Sequence, residues 1–207
     1  MTEPRIVVGV TGASGAIYAV RTVRALLLAG REVDLVVSAY GARLLRDEAG
    51  LDLEEETFPE FLARTEATTK IAGRVVRYPE TDLGAAIASG SYPAAGMVVV
   101  PCSTKTLSGI AHGASTTLIE RAAEVTLKER RPLVLVPREA PLSLIHLRNM
   151  VAATEAGATI IPAAPGFYQK PETFDDLADF IAGRVLNVLG IPQKLFTPWG
   201  MSPEDDR

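Results

Sequence analysis

A single cysteine, Cys102, occurs in 207 residues, so no disulfide framework is possible and a reducing compartment is expected. The two histidines, His112 and His146, lie far apart and lack the close spacing of a metal-ligating pair. Basic excess is also missing: the net charge of −4 argues against a nucleic-acid partner. No apolar run approaches the roughly 20 residues that span a bilayer, so no membrane partner is expected. Residues 1 to 10 begin a strand rather than a basic region leading into an apolar signal segment, and a cytoplasmic location is expected. Repeats and low-complexity segments are absent. What remains is a chain 47% hydrophobic and 22% charged, long enough for one sizeable core. It is greasier than a lone monomer needs, which points to self-association.

Apolar runs alternate with helical stripes from end to end. Arg5 to Val10 ends in Thr11-Gly12-Ala13-Ser14-Gly15, and Ile17, Val20, Val23, Leu27 and Leu28 then form a helical stripe that Gly30 stops. Strands are expected at Val33–Val37, Val75–Tyr78, Met97–Val100, Leu133–Val136 and Thr159–Ile161. Helices are expected near 39–48, 104–112, 116–130, 143–155 and 174–189, and one weakly amphipathic helix within the acidic stretch 51–73. Residues 85–96, rich in Ala, Ser, Gly and Pro, form a loop close to something. This order predicts an α/β fold: a three-layer, doubly wound, mostly parallel sheet with right-handed crossovers. A single domain over 1–190 is expected, followed by an extended tail, 191–207, that carries Pro192, Pro198 and the lone Trp199.

In such a sheet, ligands sit at the turns that follow the carboxyl ends of the strands. The first turn, Gly9 to Gly15, has glycines that allow a phosphate close to the backbone, with helix-start N–H groups to hold it. Its spacing is G-x-x-G-x-x-G rather than the dinucleotide G-x-G-x-x-G. Strand two ends in Ser38, not in the acid that a dinucleotide ribose requires. A mononucleotide, FMN, therefore fits better than NAD, although an ordinary helix cap at Ser14 explains the turn equally well by itself.

Two further turns are loaded with hydroxyls or charge: Pro101-Cys102-Ser103-Thr104-Lys105-Thr106, and Arg138-Glu139 after Leu133–Val136. Arg121, Val125 and Lys128 share one helical stripe with Leu118, which is expected to face inward. Lys128-Glu129-Arg130-Arg131 otherwise reads as a solvated basic helix end, and for Glu129, Arg130 and Arg131 that reading is preferred. Arg138 and Glu139, ending an apolar strand, need a partner or a ligand. Tyr168 lies at the same carboxyl edge. Arg184, flanked by Ala182, Gly183, Val185 and Leu186, suits a partly buried guanidinium.

Six motifs in order resemble the flavin prenyltransferase (UbiX-like) family over about residues 5–200. They are Thr11–Gly15, Ala88-Ser89-Gly90-Ser91 with Pro101-Cys102-Ser103, Arg121-Ala122-Ala123 with Leu127–Arg131, Arg138-Glu139-Ala140-Pro141, His146-Leu147 with Asn149-Met150, and Pro165-Gly166-Phe167-Tyr168. The resemblance implies a Rossmann-like flavoprotein that joins a dimethylallyl group, from dimethylallyl monophosphate, to N5 and C6 of reduced FMN without a metal. The product serves UbiD-like decarboxylases. It implies that Gly12, Ala13, Ser14, Ser38, Ser103, Thr106 and Arg121 contact FMN. Ser89, Gly90, Lys128, Arg138, Tyr168 and Arg184 would hold the donor phosphate. Ser14 and Glu48 would form a proton-moving pair, Glu139 would assist at the phosphate or in proton transfer, and Trp199 or Tyr168 would face the departing prenyl cation. Relatives form dodecamers with the active site at subunit contacts, so the tail is expected to pack on a neighbour.

Two positions depart from the family pattern: Leu83 stands where some members carry tryptophan, and Thr116 where an acid or Asn is common. Asp175-Asp176-x-x-Asp179 mimics a magnesium motif, but opens a helix where carboxylates favour the dipole. Cys102 opens a helix near hydroxyls, a setting that can depress a thiol pKa, yet packing is the preferred reading. A cysteine-decarboxylating flavoprotein would need a histidine soon after the second helix, and there is none before His112. A direct aromatic acid decarboxylase and a non-catalytic flavin carrier are the other rivals.

Overall fold

Six strands and seven helices make up the fold in the computed structural model, which describes residues 5–66 and 73–200. The strands are β1 (Arg5–Val10), β2 (Val33–Val37), β3 (Val75–Tyr78), β4 (Ala94–Cys102), β5 (Leu133–Pro137) and β6 (Thr159–Ile160). The helices are α1 (Ala16–Leu28), α2 (Ala39–Ala49), α3 (Phe58–Thr65), α4 (Thr104–Ala111), α5 (Leu118–Lys128), α6 (Leu144–Glu155) and α7 (Phe174–Val188). The sheet order is β3-β2-β1-β4-β5-β6 and every pairing is parallel, so the expected "mostly parallel" sheet is wholly so among the described residues.

Successive side chains of one strand feed opposite cores, as the two-residue strand period requires. Ile6, Val8, Val10, Val98, Val100, Val134 and Val136 meet α1 and α7 on one face. Val7, Met97, Val99, Leu133 and Leu135 meet α4 and α5 on the other. Burial on both faces is why these strands read as unbroken apolar runs. The chain leaves β1 toward one face and β4 toward the other, so the crevice between them is the point where a doubly wound sheet takes its ligand.

Some boundaries differ from expectation. β4 begins at Ala94 rather than Met97, because Ala94 and Gly96 pair with Arg5 and Ile6 of β1 despite offering little apolar surface. The expected loop 85–96 contains a 3-10 turn, Ala86–Ala88, with Ile87 buried. The non-helical segment past residue 190 also packs on this core. Ile191 is buried in the α1/α7 core, Leu195 packs on that core, and the Phe196 ring lies 4.9 Å from Phe180. A side chain at Gly183 would strike Phe196, so the absence of one lets the tail lie down on α7. Residues 67–72 of the expected acidic stretch and 201–207 of the expected tail lie outside the described residues. No helix among the described residues is long and apolar enough to cross a membrane.

Candidate active site

The turns after β1, β2, β4 and β5 converge at the carboxyl edge of the sheet. Thr11 ties the first to the third: its hydroxyl donates to the Pro101 carbonyl at 2.8 Å and accepts from the Ser103 N–H at 2.7 Å. Ser103 caps α4 by accepting from the Thr106 N–H, and its hydroxyl lies 3.0 Å from the Thr106 hydroxyl. Ser38 caps α2 by accepting from the Gly41 N–H. Capping fixes each serine at the start of a helix, where the dipole favours an anion.

Glu48, on α2, reaches across to the first turn and accepts from the N–H groups of Gly15 and Ala16 at 2.8 and 2.9 Å. Burial pushes its carboxyl upward, but those two N–H groups, the Ser14 hydroxyl and the Arg138 charge outweigh it, holding Glu48 below the ordinary carboxylate range. Arg138 in turn donates from Nε to the Ser14 carbonyl at 2.9 Å. Ser14, Glu48 and Arg138, from three separate crossovers, are thus joined within one chain. This corrects one expectation: the donors at the start of α1 are occupied by a carboxylate and are not free for phosphate. The starts of α2 and α4 carry serine hydroxyls instead, Ser38 and Ser103, the latter beside Thr106.

Gly12 and Ala13 line the same turn. A Cβ on Gly12 would press into the Tyr40 side chain, so the backbone there stays flush against α2. Such a floor, hydroxyls at two helix starts and a polar rim fit a flat mononucleotide such as FMN. Tyr168 and Trp199 meet edge to face at 5.1 Å, and Tyr168 also meets Phe180 at 5.7 Å. Trp199 is 78% exposed, so its ring is presented outward with Tyr168 beneath it. Glu139 is exposed, and its carboxylate accepts from the Ala140 N–H.

The remaining residues expected to hold a donor phosphate lie elsewhere. Ser89 and Gly90 precede β4, at the amino edge, and a Cβ on Gly90 would sit 2.6 Å from Lys128 Nζ. β4 is nine residues long, so its two ends, one beside this loop and the other beside Ser103, lie about 26 Å apart. Lys128 is exposed and pairs with Glu129; Arg121 is half-buried and pairs with Glu124 at 2.9 Å. Neither points into the core as expected, because the buried face of α5 belongs to Leu118, Ile119, Ala122, Ala123, Val125 and Thr126. Arg184 is exposed, which corrects the partly buried guanidinium: its chain neighbours are buried, but residues i±1 occupy other faces of a helix.

Other expectations resolve cleanly. Asp176 closes a capping box at the start of α7, while Asp175 and Asp179 bind Arg21, so this acidic motif is engaged structurally. Cys102 is fully buried and its thiol is pushed up to about 12, the reverse of an activated cysteine. Thr116 donates to Glu120 from both its N–H and its hydroxyl, and so serves the start of α5. Leu83 is 47% exposed. Arg131 differs from the solvated cation expected of it: it donates to the backbone carbonyls of Tyr92 and Gly90, both at 2.8 Å.

A doubly wound parallel sheet with a hydroxyl-lined cradle at its switch point defines a nucleotide-binding protein of the flavoprotein class, and the Flavoprotein family model matches residues 1–186. The flavin prenyltransferase UbiX of Halalkalibacterium halodurans is 48% identical over 195 residues, covering 93% of this chain and 92% of that protein. The crystal structure of AnUbiX (PadA1) in complex with FMN and dimethylallyl pyrophosphate superposes with a TM-score of 0.85 at 39% identity, covering 97% of this chain and 99% of that one. The dodecameric FMN-dependent Ubix-like decarboxylase from Escherichia coli O157:H7 gives a TM-score of 0.80 at 38% identity over 91% of this chain and 96% of that one. The chain belongs to the flavin prenyltransferase family of flavoproteins.

Proposed function

We propose that the protein transfers the dimethylallyl group of dimethylallyl monophosphate to N5 and C6 of reduced FMN. The observation that carries this reading is the Ser14–Glu48–Arg138 constellation at the switch-point cradle. Reduced flavin supplies the nucleophile. Glu48, ionised at neutral pH, holds and accepts a proton at the Ser14 hydroxyl. Arg138, Lys128, Arg184 and the Tyr168 hydroxyl bind phosphate oxygens and stabilise the charge that collects there as the allylic C–O bond breaks, without a metal. Trp199 and Tyr168 turn aromatic faces toward the cationic prenyl fragment. Glu139 assists at the leaving phosphate.

One chain holds these residues at opposite edges of its sheet, which favours a site completed between subunits of a homo-oligomer. Leu144, Ile145, Leu147 and Val151, all exposed on α6, are apolar surface suited to such contacts. A dodecamer is the assembly proposed, with the tail carrying Trp199 against a neighbour, and cytoplasmic delivery of the product to a UbiD-like decarboxylase.

Incubation with reduced FMN and dimethylallyl monophosphate, followed by mass measurement of the flavin, tests the reading. Gain of one C5 unit is the expected result, unchanged by EDTA. Carbon dioxide release from an aromatic acid without that gain would instead make the protein a decarboxylase. A parallel arm with the pyrophosphate fixes the donor.

A further inference from the structure

The loop that carries Ser89 and Gly90 is fixed from two sides by residues with no assigned role. On one side the guanidinium of Arg131 grips alternate carbonyls, donating from one nitrogen to Tyr92 and from the other to Gly90, both at 2.8 Å. On the other, the Tyr92 hydroxyl donates to Asp34 at 2.7 Å, and Arg5 donates to both the Tyr92 oxygen and Asp34 at 3.0 Å. The Asp34 side chain is completely buried in β2, a costly place for a carboxylate unless its oxygens are satisfied. Its anchoring partners come from β1 and from the loop, so the loop is tied to the rigid centre of the sheet.

The geometry points to Arg131, seconded by Tyr92 on Asp34, as the positioning residue that sets Ser89 and Gly90 against Lys128 for the donor phosphate. Arg131 follows α5 by three residues, and Lys128 is the last residue of that helix. The clamp therefore fixes the distance between the loop and the lysine, since both hang from one helix end. Gly90 is where that fit is tightest, because a side chain there would run into the paired ends of Glu129 and Lys128. A guanidinium spans the two carbonyls, two residues apart in the turn that the Tyr92 N–H closes onto the Ser89 carbonyl, whereas a lysine ammonium is a point donor that cannot hold both in fixed register.

This inference rests on reading Ser89, Gly90 and Lys128 as the donor-phosphate cluster, and its test keeps the two separable. Arg131→Ala, Arg131→Lys and Tyr92→Phe are compared with the wild-type oligomer. Hydrogen exchange of amides 86–94, without substrate, is expected to rise roughly tenfold in Arg131→Ala while the strands stay protected. The KM for dimethylallyl monophosphate should rise by about tenfold or more, with kcat and FMN affinity within about threefold. Arg131→Lys should fail to restore KM, and Tyr92→Phe, which keeps the fork and the ring packing, should show a smaller rise in both readouts. Unchanged exchange and KM would overturn the proposal, as would exchange rising across the whole sheet with loss of FMN. Faster loop exchange with an unaltered KM would leave the clamp but remove its role toward the donor. A wild-type enzyme that transfers no prenyl group fails the functional reading, and the exchange difference then reports on the clamp alone. If Arg131→Ala does not fold, Tyr92→Phe carries the same test.

Discussion

At the carboxyl edge of the sheet, Ser14, Glu48 and Arg138 are already joined by hydrogen bonds, whereas at the amino edge Lys128 faces outward over Gly90 and pairs with Glu129. The first region is pre-organised by its own chain: helix-start N–H groups fix the carboxylate, and the carboxylate fixes the turn. The second presents a clamped loop and a lysine to whatever docks there. Proton transfer tolerates little error in position, so its groups gain from being built into one fold. Phosphate capture by several cations can be divided between subunits, and on the proposed reading such a division would link turnover to assembly.

The most damaging break in the pre-organised region is Glu48→Gln. The amide oxygen can still accept from Gly15 or Ala16, so FMN binding should hold within a few-fold. Loss of the proton acceptor should slow prenylation by about 10² or more, read from the rate of C5 gain on the flavin. A variant as fast as wild type would remove the Ser14–Glu48 pair from the chemistry.

A mixing experiment attacks the comparison directly. Lys128→Ala damages the amino edge and Arg138→Ala the carboxyl edge, and each alone should lose roughly 10–150-fold in kcat/KM, the worth of one charge-assisted hydrogen bond to phosphate. If the two edges meet between subunits, co-assembly of the two variants rebuilds intact sites, about a quarter of the total for random pairing at a shared site. If both residues serve one chain's own site, no mixture regains activity. Smaller in effect, Glu139→Gln should leave FMN bound and slow transfer by roughly tenfold, since this exposed carboxylate touches only its own turn. Unchanged turnover would remove its role.

The two edges were not equally legible in the sequence. Apolar runs ending in Thr11, Ser38, Ser103 and Arg138 announce the carboxyl edge, because a parallel sheet buried on both faces writes its strands as continuous hydrophobic segments. The pairing of Ser14 with Glu48 carries no such mark. An acid on an exposed helix turn looks like any solvated charge until the fold brings the first turn to it, and resemblance alone named it. At the amino edge, Arg131 closes the charged run Lys128-Glu129-Arg130-Arg131, and a guanidinium bound to backbone carbonyls leaves no partner residue to find. Arg184 misled because buried chain neighbours suggest burial, while the helical twist turns the arginine itself outward. Asp34 lies inside an apolar strand, and nothing in its sequence surroundings points to Tyr92.

Acid should separate the edges more gently. Glu48 has its folded pKa depressed below the ordinary glutamate value of about 4.3. It therefore contributes stability above that value, and the contribution is lost as pH falls through the folded pKa. The melting temperature of wild type should fall more steeply than that of Glu48→Gln in this window, and the two should run parallel above pH 6 or so. Parallel curves throughout would mean that the Gly15 and Ala16 contacts do not favour the ionised carboxylate.

The smallest change is expected where position alone suggests the largest. Cys102 is followed directly by Ser103 at the carboxyl edge, yet its thiol is wholly buried and pushed up to about 12 by that burial. Cys102→Ala should leave prenylation within about twofold while lowering stability by roughly 1–2 kcal/mol, because it empties a small packed volume beneath the Thr11–Ser103 bond. In the folded wild type, iodoacetamide at pH 8 should label the thiol no faster than the chain opens, since the reactive thiolate is scarce and shielded. Rapid labelling accompanied by loss of transfer would show that the carboxyl edge is less closed than its hydrogen bonds imply, and would erase the contrast between the two ends of the sheet.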